Sequence, residues 1–122
     1  MDETIGRALQ RGHRIDITTT GRRTGQQRRI EVVFHNFGGR LYISGRPGRR
    51  GWYANLVADG HMTFHLKSIV KADLPAIARP ITDEAERREV FSLIKQVWTG
   101  LDEELMVRRS PLVEVTIEPL AA

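Results

Sequence analysis

Ile15-Asp16-Ile17-Thr18-Thr19-Thr20-Gly21-Arg22-Arg23-Thr24-Gly25 is the stretch on which the fold turns. Branching at Cβ stiffens Ile and Thr and suits them to a pleated strand, so residues 15 to 20 read as extended. Gly21 stops the run abruptly, and Gly25 closes a turn whose tip carries two arginines and a threonine. Glycine permits the dihedrals and close approaches that such a turn requires. A plain hairpin needs no arginines. Open backbone N–H groups, a hydroxyl and two fixed positive charges at one tip are the means by which proteins hold phosphate or carboxylate.

Outward from this turn the chain is β-rich. Residues 1 to 12 read as a short amphipathic helix. Arg28 to Phe37 reads as a second strand, Asn36-Phe37-Gly38-Gly39 as a hairpin signal, and Arg40 to Ser44 as a third strand. A loop from Gly45 to Gly51 leads into a helix from Trp52 to Ala58, ended by Asp59-Gly60. His61 to Leu66 is a fourth strand. Ile69 to Pro80 reads as a fifth, with Pro75 demoting part of it to an edge or a bulge. Thr82 to Trp98 is the long helix: Thr82 suits the N-cap, and Val90, Leu93, Ile94 and Val97 mark its apolar face. The acidic run Asp102 to Glu104 reads as solvated surface, and Leu112 to Ile117 as the last strand. Successive strands with a short inserted helix and one late helix predict a mainly β, α+β architecture. The expected form is a small antiparallel β-barrel with helices packed outside, a single domain over residues 1–122.

Composition narrows the function. The chain has 122 residues, a net charge of +4 and no cysteine. Disulfides, thiol redox chemistry and thiolate metal sites are therefore excluded, and a cytoplasmic address is expected. No run approaches the roughly 18 apolar residues of a membrane span. From Arg7 to Arg50 the basic residues are all arginine, and the only acids in that interval are Asp16 and Glu31. Arginine suits bidentate contact with oxyanions. The basic half offers few aromatics for base stacking, which argues against nucleic acid and for a small polyanionic ligand. His61 and His65 share a strand face but stand about 13 Å apart, too far to chelate one ion. No metal site is expected.

A second motif repeats the chemistry of the first: Ser44-Gly45-Arg46-Pro47-Gly48-Arg49-Arg50-Gly51-Trp52-Tyr53-Ala54-Asn55-Leu56. Its glycine and arginine loop opens a helix, whose N-terminus attracts anions. If this loop faces the Gly21 to Gly25 turn across a barrel rim, the two sets of arginines converge. Trp52 then covers a planar ring, and the Asn55 amide suits a heterocycle edge.

Together the Thr-Gly-Arg-Arg-Thr-Gly turn, Arg28-Arg29 and the Trp-Tyr-Ala-Asn-Leu block resemble the deazaflavin-dependent nitroreductase family of the flavin/deazaflavin oxidoreductases. The similarity spans residues 15 to 118. It implies a split β-barrel of the FMN-binding, pyridoxamine-phosphate-oxidase-like type, and coenzyme F-420 as cofactor. By the resemblance, Arg22, Arg23, Thr24 and Gly25 bind the anionic tail with Arg29 nearby. Ser44, Gly45 and Arg46 line the deazaflavin ring, and Trp52, Tyr53 and Asn55 follow it. Ser44 or Tyr53 is the catalytic donor that steadies charge on the acceptor. The implied reaction is hydride transfer to a nitro compound, quinone or enone. The resemblance also allows a homodimer. Asp59-Gly60 stands where the family usually has Asn-Pro, and Val32 where many members have proline. Other branches of the superfamily bind FMN, haem or lipid, so FMN is the alternative cofactor and a non-catalytic binding protein the alternative function.

Overall fold

Along β1 (Arg14–Thr20) buried and partly exposed residues alternate, with Ile15, Ile17 and Thr19 pointing inward. That period of two places one face of the strand in a core and the other at the surface. β1 pairs antiparallel with β2 (Gln27–Phe37) on one side and with β4 (His61–Leu66) on the other. β3 (Arg40–Ser44) returns along β2, and β5 (Ala72–Pro80) returns along β4. β6 (Leu112–Ile117) joins β3 to β5 and closes the barrel in the order β1-β2-β3-β6-β5-β4. Closure removes every free sheet edge. The computed structural model describes residues 2–118.

The interior is filled by Ile15, Ile17, Phe34, Ile43, Phe64 and Val113, all fully buried, with Phe34 and Phe64 edge to face at 5.2 Å. Each such side chain contributes about 1.5–3 kcal/mol by leaving water. Four helices surround the barrel. α1 (Glu3–Leu9) caps one end through Ala8 and Leu9. α2 (Gly51–Ala58) crosses a rim and seats Leu56 in the core. α3 (Glu84–Val97) and α4 (Glu103–Arg109) form a second apolar cluster with Tyr42 and Leu112 against the outer wall.

Four expectations need correction. The N-cap of α3 is Asp83, not Thr82: the Asp83 carboxylate accepts from the Glu86 N–H at 2.9 Å. The buried face of α3 is Arg87, Val90, Phe91 and Ile94, while Leu93 and Val97 are exposed. The face is turned because a buried arginine occupies a position that apolar periodicity assigns to a hydrophobe. The acidic run at Asp102 is solvated as expected, and it also opens a helix that the sequence did not signal. Asp102 caps α4 by accepting from the Leu105 N–H at 3.1 Å, and α4 spans only seven residues, too few for a periodic signal. Pro75 is neither an edge nor a bulge residue. It faces Thr63 of β4, while its carbonyl accepts from Glu118 N–H just past the end of β6. The donor that proline lacks thus falls where the β6 ladder has already ended. The N-terminal helix expected over residues 1 to 12 shortens to α1, and Met1 lies outside the described residues.

Candidate functional site

The β1–β2 connection is a tight arch. Gly21 N–H donates to Gln26 O and Gly25 N–H to Gly21 O, each at 2.8 Å, and Gln26 N–H donates to Thr24 Oγ1 at 3.2 Å. Gly25 sits at φ 74°, in the left-handed region that a side chain disfavours. The arch is held from below by Asn55 of α2. Its Oδ1 accepts from both the backbone N–H (3.1 Å) and the guanidinium (3.0 Å) of Arg22, while its Nδ2 donates to Thr19 Oγ1 at 3.1 Å. Asn55 is buried at 6% exposure, so these bonds are shielded from water.

This clamp brings the two sequence motifs together. A cleft of about 470 Å³ lies between the arch and the start of α2. Arg22, Arg23, Thr24 and Arg28 line one side, Gly51, Trp52 and Asn55 the other, with Ile30 among the walls. The wall holds no carboxylate. α2 begins at Arg50 with no side-chain cap, so its first N–H groups present their partial positive charge uncompensated. Among the described residues Arg22, Arg23 and Arg28 form no ion pair, whereas Arg7, Arg29, Arg40, Arg79 and Arg88 each face a carboxylate. Uncompensated guanidiniums, a helix start and an indole in one cleft suit an oxyanion attached to a planar group.

The other predicted residues lie elsewhere. Arg29 points to the outer wall, where its Nε donates to Asp16 Oδ2 at 3.0 Å. Lys67 donates to the other oxygen of Asp16 at 2.7 Å, and this bond holds the Asp16 carboxyl below its usual range. On the same wall His65 Nδ1 donates to Asp73 at 2.6 Å and its Nε2 meets Thr18 Oγ1 at 2.7 Å. His61 instead pairs with Asp59 at 2.9 Å. Ser44 is buried, and its hydroxyl donates to Pro111 O at 2.6 Å. Gly45 packs against the Pro111 ring and the Arg50 guanidinium. Arg46 borders a hollow with Trp98, Thr99 and Leu101, and Tyr53 borders another with Arg49, Arg50 and Arg109. The indole of Trp52 meets the Tyr53 ring edge to face at 6.2 Å.

The arginine loop is fixed from beneath by the segment entering β6. Gly48 N–H donates to Arg109 O at 3.0 Å, Ser44 Oγ to Pro111 O, and Arg87 to Ser110 O. Arg50 staples the loop from within, donating to Arg46 O and Arg49 O, each at 3.1 Å. Five residues of the cleft were not among the expected site residues: Thr19, Gly21, Arg28, Ile30 and Gly51. The signal was the alternation of β2, which puts Arg28 and Ile30 on the inner face opposite Thr19 and turns Arg29 outward.

A closed six-stranded antiparallel barrel with helices outside is the split-barrel fold. The family model for F-420H(2)-dependent quinone reductase matches residues 1–119, and the chain belongs to that family of oxidoreductases, whose cofactor is reduced coenzyme F-420. Solved structures share the fold at low identity. An F-420 reductase superposes with a TM-score of 0.72 at 13% identity, covering 98% of this chain and 97% of that one. A candidate 5-nitroimidazole antibiotic resistance protein from Bacteroides thetaiotaomicron gives a TM-score of 0.70 at 14% identity over 98% of this chain and 81% of its own. A candidate pyridoxamine 5'-phosphate oxidase from Listeria innocua gives 0.66 at 16% identity over 96% and 93%. No helix among the described residues is long and apolar enough to cross a membrane.

Proposed function

We propose that the protein binds reduced coenzyme F-420 in the cleft between the Gly21–Gln26 arch and α2 and passes a hydride to an electron-poor acceptor. The acceptor classes are quinones, nitro compounds and enones. The observation that carries this reading is the cleft itself, with three guanidiniums that form no ion pair among the described residues, beside an uncapped helix start and with no carboxylate among its lining residues. A phosphate with several glutamates attached matches that charge better than the single phosphate of FMN, because each guanidinium gains a charge-assisted partner.

Arg22, Arg23 and Arg28 hold the anionic tail, with Thr24 donating from the tip and Gly25 keeping the arch tight. Trp52 offers its face to the ring system. Asn55 positions Arg22, since both its amide groups are already engaged by protein. Ser44 anchors the ring-side loop through Pro111, and Tyr53, beside that loop, has a hydroxyl that forms no hydrogen bond among the described residues. Bound in its reduced form, the deazaflavin supplies the hydride. The chain contributes orientation and a donor to the charge that develops on the acceptor. A cytoplasmic setting and a single-domain organisation complete the proposal.

Titrating the purified protein into reduced coenzyme F-420 and following deazaflavin fluorescence tests the reading. Saturable binding at micromolar concentration, followed by reoxidation when menadione is added, is the expected result. Absence of binding sinks it.

A further inference from the structure

A second group of arginines surrounds a separate chamber of about 180 Å³ beside the Gly45 to Gly51 loop. Its wall is made by Arg49, Arg50, Tyr53, Arg109 and Ser110 and includes no carboxylate. It shares no lining residue with the cleft. Arg49 and Arg109 form no ion pair among the described residues, although they lie on neighbouring strands of backbone tied by the Gly48 N–H to Arg109 O bond of 3.0 Å. Arg50 spends two N–H groups on loop carbonyls, so its charge is fixed in place at the chamber.

Like charges held together without a counter-ion repel, and this repulsion is relieved when an anion enters. Five other arginines of the chain have carboxylate partners, so the protein does not lack acids with which to neutralise arginine. It places none of them here. Ser110 adds a second observation: at 4% exposure its Oγ is buried without any hydrogen-bond partner. A buried hydroxyl left unpaired is uncommon, and Ser110 belongs to the wall of this chamber. With Tyr53 in the wall, the chamber combines the exposed Arg49 and Arg109 with the fixed guanidinium of Arg50.

We propose that this chamber is a second oxyanion pocket that seats a carboxylate or phosphate group between Arg49 and Arg109. The inference stands on this chamber alone and does not depend on the cofactor reading of the cleft. Two sources share the chemistry: a free inorganic oxyanion, or an acid group borne on a small organic molecule.

Amide chemical shifts of the full chain, recorded at constant ionic strength against sodium phosphate, sodium benzoate and sodium chloride, test the proposal. Saturable shifts at Gly48, Arg49, Arg109 and Ser110 with phosphate or benzoate, and none with chloride, are expected. Saturation by phosphate alone assigns a free oxyanion; saturation by benzoate assigns an organic acid. R109Q should raise the apparent Kd roughly tenfold or more, the scale of one lost charge-assisted hydrogen bond. R49Q provides the same measurement from the other wall should R109Q fold poorly. R23Q, in the cleft, should leave it unchanged. Shifts that follow chloride equally, that appear only around Arg22 to Gly25, or that survive both R49Q and R109Q overturn the proposal.

Discussion

Asn55 Oδ1 accepts two hydrogen bonds from one residue, the backbone N–H and the guanidinium of Arg22. One amide oxygen thereby sets both the position of the arch and the direction of its first arginine. Asn55→Ala removes these bonds and the one to Thr19, and buried bonds of this kind cost about 1–3 kcal/mol when a partner is left unsatisfied. The expected outcome is a lower melting temperature together with weaker deazaflavin binding. Asn55→Asp keeps the acceptor for Arg22 but adds a negative charge to the cleft wall. It should retain more stability than the alanine variant while still binding the anionic cofactor poorly. Thermal melts and fluorescence titrations on both variants separate the two effects, and an unchanged affinity in Asn55→Asp removes the electrostatic argument.

Arg28 and Arg29 are adjacent in sequence and opposite in the barrel. Arg28 faces the cleft; Arg29 faces Asp16 on the outer wall. Arg28→Ala should weaken coenzyme binding about tenfold and flatten its dependence on salt. Arg29→Ala should leave affinity unchanged and cost under about 1 kcal/mol, since it breaks an exposed ion pair. The same loss of affinity in both variants contradicts the placement of the site.

That contrast shows where reading residues in order reaches its limit. The strands were legible because Ile15, Ile17 and the threonines alternate, and the two arginine motifs because glycines frame them. Which of two neighbouring arginines enters the cleft depends on register, and register depends on the turn geometry between Thr20 and Gln27. The tie between Ser44 and Pro111 joins residues 67 positions apart, and no local pattern announces it. α4 was hidden for a different reason: its stability comes from packing Met106 and Val107 and from Arg87, not from its own seven residues.

Arg87 is the buried exception to the arginine pattern. It is 9% exposed, faces no carboxylate, and donates to the carbonyls of Ile81, Met106, Val107 and Ser110. Burial lowers the pKa of its guanidinium from the usual value. The last turn of α4 leaves carbonyls without helical partners, and the planar fork meets several of them at once. Arg87→Met should cost about 2–4 kcal/mol by stranding those carbonyls. Arg87→Lys should recover only a small part, because a single ammonium cannot reach the same set. Urea midpoints with an unchanged slope are the measurement. Full recovery by lysine shows that charge, not geometry, sets the effect.

His35 gives the fold a pH dependence whose sign is fixed by burial. It is 3% exposed, stacks on Phe37 at 5.6 Å, meets Trp98 edge to face at 4.8 Å, and its Nε2 has no partner. Loss of hydration lowers its pKa from 6.5 to about 4, so the folded protein holds it neutral. The unfolded chain takes up that proton from about pH 6.5 downward, and the folded chain does so only near pH 4. Between these values the unfolded state binds more protons, so stability falls as the pH falls, by about 3 kcal/mol in all. Above the window the contribution is fully present; below it no more is lost. The carboxylates of Asp16, Asp73, Glu86 and Glu104 are lowered by their partners, so their losses start as the pH falls through the ordinary carboxylate range and overlap only the lower end of the His35 window. Denaturant unfolding followed from pH 7 to pH 4 should show the decline in the wild type. His35→Phe keeps an aromatic ring against Phe37 and cannot titrate, so its stability should stay level down to about pH 5 and fall below that only by the carboxylate contribution. A decline of equal size in His35→Phe would assign the effect to another group.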